Sequence, residues 1–171
     1  MAEVNPGVQA LLSSIRDLLP DYQGYLDEAS AARTDGQIRS FAGQQMQEIA
    51  AQLSAVAASA RDNGTSTVAD AIERVRTRLG VIREGLLEEG GQEEGLELTG
   101  EKEQRLYEYD LSILRRLAEL RQEVSQVRVE EIDPEEPEEA LTVVSDLLDG
   151  LSQDIFERDT LIQGDEDVVE Y

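Results

Sequence analysis

A repeated spacing of apolar residues is the feature that most constrains the fold. Between residues 66 and 88, apolar side chains follow one another at intervals of 4, 3, 4, 3 and 4. Such intervals place every member on one face of an α-helix, as in the heptads of coiled coils. The positions are Val68, Ile72, Val75, Leu79, Ile82 and Leu86. This segment is therefore predicted to be an amphipathic helix that packs lengthwise on its neighbours.

Four further segments repeat this spacing. It predicts helices over Gly7–Leu19, Tyr25–Arg61, Glu101–Val129 and Pro137–Gln163. Pro20 ends the first of them, because a residue that precedes proline avoids the α conformation. Gly64 ends the second by supplying the left-handed position that closes many helices. Gly36 weakens the first half of that second helix, because glycine is a poor helix former.

The composition also favours helices. The apolar residues are chiefly leucine, valine, isoleucine and alanine, and aromatic residues make up only 4% of the chain. Sheets are richer in β-branched and aromatic residues, so helix-on-helix packing is the better fit. We predict an all-α fold, an antiparallel four-helix-like bundle of long amphipathic helices with a short N-terminal helix.

The chain length of 171 residues fits a single domain. We assign residues 1–163 to one helical bundle. Residues 88–100 hold four glycines and five glutamates, and we interpret them as a flexible acidic loop. Residues 130–137 are interpreted as an acidic, proline-containing linker, and residues 164–171 as an acidic tail.

The chain contains no cysteine, no histidine and no tryptophan. This excludes zinc–thiolate sites, iron–sulfur clusters, thiol catalysis and every histidine-based catalytic triad. We therefore assign no catalytic, cofactor-binding or metal-ligating residue, and we expect a protein that is not an enzyme. A site made of carboxylates alone remains open, because hard cations such as magnesium accept oxygen ligands.

The charge is strongly acidic. The sequence has 15 basic and 38 acidic residues, a net charge of −23, and Lys102 is its only lysine. This pattern is typical of proteins from salt-accumulating halophiles, although an ordinary acidic protein from a GC-rich genome is an alternative. The acidic surface argues against binding to nucleic acid, which needs clustered basic residues, and against docking on anionic lipid.

The sequence carries no targeting signal that we recognise. The N-terminal segment has no basic region followed by an apolar run, and no window reaches 18 consecutive apolar residues. We expect a cytoplasmic protein without a transmembrane segment.

Two charged residues interrupt the apolar stripes. Asp110 lies on the apolar face of the fourth predicted helix, and Arg158 on that of the fifth. A buried charge without a partner is costly, so we predict that the two pair across the interface of these helices. Arg33 and Arg39 are other candidate cations for Asp110. The alternative is that the two charged side chains lie at the edge of the helix interface and reach solvent.

Four tyrosines flank the starts of two predicted helices: Tyr22, Tyr25, Tyr107 and Tyr109. Their rings are expected to close one end of the bundle. The alternative is an aromatic patch that contacts a partner.

Three blocks of the sequence resemble a family of short, all-helical bacterial proteins without assigned activity. The blocks are Leu18–Tyr25 with the following Arg33-Thr34-Asp35, Leu106–Leu111, and Phe156–Asp159. The resemblance implies a helical fold and one recurring structural constellation of Arg33, Asp110 and Arg158. The chain departs from the family after the tyrosine segment, where acidic residues and alanines replace basic ones.

These observations favour a non-enzymatic interaction or scaffold protein that uses helix faces to bind a protein partner or another copy of itself. The first alternative is an acidic protein that mimics the charge of nucleic acid and occupies a basic site. The second is an enzyme built on a carboxylate-only divalent-metal site.

Overall fold

The computed structural model describes residues 6–88 and 100–163. Within these residues the chain forms six α-helices and one 3-10 turn, Val129–Glu131, and no strand. The helices are α1 (Pro6–Leu18), α2 (Glu28–Asp62), α3 (Ser66–Glu88), α4 (Gly100–Gln126), α5 (Pro137–Ala140) and α6 (Thr142–Gln163). The predicted all-α bundle is confirmed. The interior of the predicted loop at 88–100 and the predicted tail at 164–171 lie outside the described residues.

A capping box fixes the start of α2, which begins three residues later than the spacing predicts. Asp27 is extended, with φ −156°, and its carboxylate accepts a hydrogen bond from the Ser30 backbone nitrogen over 2.7 Å. The Ser30 hydroxyl in turn accepts one from the Asp27 backbone nitrogen over 2.8 Å. This reciprocal pair satisfies backbone donors that a helix start leaves unpaired. From there α2 continues unbroken through Gly36 to its end.

The segment 130–137, which we predicted as a linker, packs against the bundle. Val129, the first residue of the 3-10 turn, and Ile132, which follows the turn, are both buried. The Thr67 hydroxyl on α3 donates a hydrogen bond to the Pro134 carbonyl over 2.9 Å. The acidic side chains of this segment remain exposed while its apolar residues anchor it.

The fifth predicted helix is divided into two. The chain leaves the helical conformation at Leu141, whose φ and ψ are −101° and 5°. The side chain of Leu141 is buried in the core. The short α5 is therefore separate from α6, and it packs on α3 and α6.

The four long helices form the bundle. α2 packs on α3 and α4, while α6 packs on α4 and α3. α2 and α3 run antiparallel, because Arg61 pairs with Glu73 while Gly43, earlier in α2, accepts from Arg83, later in α3. α4 and α6 run antiparallel as well, because Tyr109 bonds to Glu157 while the later Arg116 bonds to the earlier Asp154. α1 packs on the outside of α4. None of the described helices has both the length and the hydrophobicity that crossing a bilayer requires.

The apolar core consists of two clusters. The larger one joins α3, the later part of α2 from Ala42 onward, the later part of α4 from Ile113 onward, and α6 up to Ile155. The smaller one joins α1 and the α1–α2 connection to the beginnings of α2 and α4. Charged residues occupy the level between the clusters, and this level is the candidate site.

Candidate functional site

Asp110 and Arg158 meet in the interior of the bundle. The Arg158 Nε atom donates to the Asp110 Oδ1 atom over 2.6 Å, and neither side chain has any exposed surface. α4 supplies the aspartate and α6 the arginine, so the contact spans the interface for which we predicted a pair. The alternative, in which these charges reach solvent at the rim, is wrong for both residues.

Two tyrosine hydroxyls complete the shell of Asp110. Tyr22 and Tyr25 both donate to the Asp110 Oδ2 atom, over 2.5 Å and 2.6 Å. The Arg158 Nη2 atom donates to the Tyr25 hydroxyl over 2.9 Å, which closes a ring of three buried groups. Hydrogen bonds to a charged acceptor are stronger than neutral ones, so this shell offsets part of the cost of burying the carboxylate.

Two further carboxylates and a second arginine extend the network. The Arg158 Nη1 atom donates to Asp35 over 2.7 Å, and Asp35 also accepts from the Arg39 Nε atom over 2.9 Å. Arg39 donates to Asp159 over 2.5 Å and to the Leu86 carbonyl over 2.7 Å. We call Asp35, Arg39, Asp110, Arg158 and Asp159 the ionic layer. It ties α2, α3, α4 and α6 together at one level.

The ionic layer holds three carboxylates and two guanidinium groups, a formal charge of 2 − 3 = −1. Burial by itself raises the pKa of Asp35, but the Arg158 and Arg39 guanidinium groups outweigh it and hold that pKa below its ordinary value. Burial by itself lowers the pKa of Arg158, and Asp110, Tyr25 and Asp35 reverse this and raise it well above its ordinary value. The charged forms of Asp35 and Arg158 therefore stabilise each other.

The tyrosines are held in their neutral form. Burial, followed by the Asp110 carboxylate, raises the pKa of Tyr22 far above its ordinary value. Burial also raises the pKa of Tyr25, with Asp110 adding to the effect and Arg158 opposing it. Both hydroxyls therefore act as hydrogen-bond donors toward the carboxylate, in keeping with the observed contacts.

A glycine shapes the turn that carries these tyrosines. Gly24 has φ +94°, and a Cβ atom there would lie 2.9 Å from the Tyr107 hydroxyl. That hydroxyl accepts a hydrogen bond from the Tyr25 backbone nitrogen over 2.8 Å, and the Thr34 hydroxyl donates to the Gly24 carbonyl over 2.8 Å. Only glycine combines this backbone conformation with so close an approach. The turn thereby directs the Tyr22 and Tyr25 hydroxyls at Asp110.

Arg33 does not join the ionic layer, contrary to the constellation that the family resemblance implies. Its side chain is exposed and lines a surface depression with Gln37 and Phe41. The reason is helical geometry: Arg33 precedes Asp35 by two residues, which is about 200° around an α-helix. Arg39, four residues after Asp35, lies on the same face and supplies the second cation. Arg39 contacts Asp35 and Asp159, not Asp110.

Three of the four tyrosines considered as partner contacts are interior. Tyr22, Tyr25 and Tyr107 are at most 2% exposed, and their rings pack against one another with centroids 5.2–6.4 Å apart. The partner-contact interpretation is therefore wrong for these three, which belong to the smaller apolar cluster. Tyr109 is half-buried and donates to Glu157 of α6 over 2.5 Å.

The sequence analysis missed Asp35 and Asp159 as members of the site. The opposite charges of Asp35 and Arg39 at i and i+4 were a usable signal, because such residues share a helix face. Asp159 carried no comparable signal, because it follows Arg158 directly and does not occupy a position of the apolar stripe. Only the fold buries it beside Arg158.

The polar groups of the ionic layer bind one another. Among the buried side chains that the structure describes, the one polar atom without a partner is Gln52 Oε1, which lies outside the ionic layer. No group of three or more acidic residues in the described ranges is arranged to hold a metal ion. Arginines separate the three layer carboxylates, whose lone pairs are directed at guanidinium and phenol donors. The arrangement fixes the relative positions of helices.

The molecule is thus a helical bundle stabilised by a buried ionic layer. Comparison with known proteins adds no family to this description: no family model, curated protein or solved structure matches the chain.

Proposed function

We propose that this chain is a non-enzymatic cytoplasmic interaction protein, which uses an outer helix face to bind a protein partner or another copy of itself. The ionic layer supports a structural role for the interior, because its donors and acceptors serve one another. Function is then expected at the surface.

Phe156 is the observation that carries the proposal. Its side chain is 68% exposed near the end of α6, and its exposed neighbours Ser152, Gln153 and Thr160 are uncharged. In a chain with a net charge of −23, an exposed phenylalanine whose exposed neighbours one helical turn away are uncharged stands out. Interface centres are depleted in charge and enriched in aromatic residues.

Val81 is a second exposed apolar residue, on α3, which packs against α6. Arg78 of α3 and Asp149 of α6 form an ion pair, which sets the register of these two helices. Val81, 65% exposed, and Phe156 both lie beyond that pair along their helices. Two exposed apolar side chains on adjacent helices form the centre of the proposed contact surface.

A pull-down from native lysate in molar KCl, followed by mass spectrometry, tests this proposal. The variants are Phe156→Ser and, as a matched control on the same helix, Val143→Ser, since Val143 is 54% exposed. A stoichiometric partner that is lost with Phe156→Ser and kept with Val143→Ser supports the proposal. Recovery of the same proteins by all three chains contradicts it.

A second candidate function is mimicry of nucleic-acid charge. It is favoured by the exposed acidic residues of 130–139, of which Glu138 alone has an arginine partner in the described structure. Salt separates the two candidates. Apolar association persists or strengthens at high salt, whereas binding through charge mimicry weakens.

A further inference from the structure

The turn between α2 and α3 carries an asparagine followed by a glycine. Asn63 is the C-terminal cap of α2, and Gly64 follows it with φ +77°. Both residues are exposed, and a Cβ atom at Gly64 would meet nothing within 4 Å. The peptide bond between them is therefore open to solvent and free of side-chain crowding on its glycine side.

These two residues can react with each other. The Gly64 backbone nitrogen can attack the Asn63 Cγ atom, so that an N–Cγ bond forms while the Cγ–Nδ2 bond breaks. Ammonia leaves with the proton of the Gly64 amide, and a five-membered succinimide ring remains. Water then adds to either ring carbonyl and opens the ring, which leaves aspartate or isoaspartate at position 63. The attack is intramolecular, so geometry controls its rate.

The folded turn holds the reacting atoms apart. Asn63 has ψ 0°, which places the Gly64 nitrogen beside the Asn63 nitrogen and away from the Asn63 Cβ atom. Ring closure requires a rotation that brings the Gly64 nitrogen to the Cβ side. The Gly64 nitrogen also donates to the Arg61 carbonyl over 3.0 Å. The turn must therefore open, and this hydrogen bond must break, before the attack can occur.

Thr65 holds the turn closed. Its backbone nitrogen and its hydroxyl both donate to the Ala60 carbonyl, over 2.9 Å and 2.8 Å. These bonds tie the residue after Gly64 to the last turn of α2. Helix ends open at a lower free energy than the packed core, so the turn can open while the bundle stays folded.

The comparable pairs of residues in the chain are less able to form such a ring. The other asparagine, in Asn5-Pro6, precedes a nitrogen that carries no proton to lose. Asp35-Gly36 and Asp149-Gly150 could form the same ring by losing water. Their glycines lie inside α2 and α6, and both aspartates form ion pairs with arginines. The fold thus favours reaction at Asn63.

We propose that Asn63 is a site of spontaneous deamidation whose rate is controlled by opening of the α2–α3 turn. The product carries one more carboxylate at the C-terminus of α2, where the helix dipole disfavours negative charge. Isoaspartate also lengthens the backbone of the turn by one methylene carbon. The modified chain is therefore expected to have a lower Tm. This inference is independent of the proposed binding role.

Peptide mapping by mass spectrometry tests the site. The full chain is incubated in molar KCl at mildly alkaline pH, either folded or in urea, and is sampled over time. Trypsin cuts after Arg61 and Arg74, which isolates Asn63 in the peptide 62–74. Aspartate and isoaspartate should accumulate there in both conditions, at least about fivefold faster in urea, where the hydrogen bonds of the turn are lost.

Gln23 is the internal control within the same digest. It is exposed and is also followed by a glycine, but its longer side chain would have to form a six-membered ring, which closes more slowly. Gln23 is therefore expected to stay unchanged while Asn63 converts.

Two variants at Thr65 test the control by the turn. Thr65→Val removes the hydroxyl bond to the Ala60 carbonyl and should speed conversion of the folded chain about two- to fivefold, with no change in urea. Thr65→Ser keeps the hydroxyl and should convert at the wild-type rate. Circular dichroism checks that both variants remain folded.

The remaining outcomes overturn the inference. They are an Asn63 that stays unchanged in both conditions, equal rates in the folded and the unfolded chain, faster conversion at Gln23 or at the two Asp-Gly pairs, and equal rates in folded Thr65→Val and Thr65→Ser.

Discussion

The Nε atom of Arg158 lies 2.6 Å from the Oδ1 atom of Asp110, although 48 residues separate the two in the chain. Both side chains are completely buried. Bringing two charges out of water costs free energy, which their attraction and the added tyrosine and aspartate contacts must offset. Removing one partner therefore leaves an uncompensated charge in the core.

Replacing Arg158 with methionine should destabilise the protein severely. The change leaves Asp110 buried without a cation, and the expected loss in the free energy of unfolding is about 3–5 kcal/mol. Urea denaturation followed by circular dichroism measures it. The control is Arg116→Met, whose ion pair with Asp154 is partly exposed, with 35% of the arginine side chain accessible. That loss should stay at about 1 kcal/mol or less.

A double-mutant cycle with Asp110→Asn sharpens this prediction. If the pair is coupled, Arg158→Met should cost less in the Asp110→Asn background than in the wild-type chain, because the uncompensated carboxylate is then gone. Equal costs in both backgrounds would show that the two residues do not act together.

High pH should unfold the chain through its buried tyrosines. Burial raises the pKa of Tyr107 to about 12, and the pKa values of Tyr22 and Tyr25 are raised further. A group whose pKa is raised on folding contributes stability that is complete below the unfolded value, about 10 for tyrosine. That contribution is lost as the pH rises toward the folded value.

Absorbance at 295 nm, recorded with circular dichroism, measures this transition. Of the five tyrosines, these three should ionise only as the helices melt. A chain in urea is the control, since all its tyrosines should titrate near their ordinary pKa. Ionisation of all five with the helical signal intact would contradict the structure.

Three glycines should respond differently to alanine. Gly24→Ala combines a positive φ of 94° with a contact to the Tyr107 hydroxyl, and it should cost about 1–3 kcal/mol or more. Gly64→Ala has a φ of 77° but open space around it, so its cost should be about 1 kcal/mol. Gly36→Ala, in the open interior of α2, should stabilise by about 0.5–1 kcal/mol. Urea melts rank the three, and a Gly24→Ala chain as stable as Gly64→Ala would contradict the described turn.

Salt should stabilise the fold. With a net charge of −23, self-repulsion between exposed carboxylates is strong in dilute buffer and is screened in molar KCl. Thermal melts followed by circular dichroism should show a higher Tm in molar KCl than in dilute buffer. A Tm that does not change would remove the halophile interpretation.

The sequence determined the helices and the burial of their apolar stripes. Alternating steps of three and four residues predicted α3 with its observed bounds, because a side chain's face on a helix depends only on local spacing. The same spacing marked Asp110 and Arg158 as interior charges, since both occupied stripe positions. Helix starts were less accurate, because a capping box such as that of Asp27 and Ser30 depends on the turn before it.

The tertiary structure decided which charges meet. The sequence offered Arg33 and Arg39 as candidate cations for Asp110, and the structure brings neither of them to it. Only the face that α2 turns toward α6 places Arg39 against Asp159, while Arg33 stays exposed. The burial of Tyr22 and Tyr25 likewise required the Gly24 turn to fold back against α4. Helical periodicity follows from neighbours in the chain. The pairing of charges follows from the register and rotation of whole helices, which only packing sets.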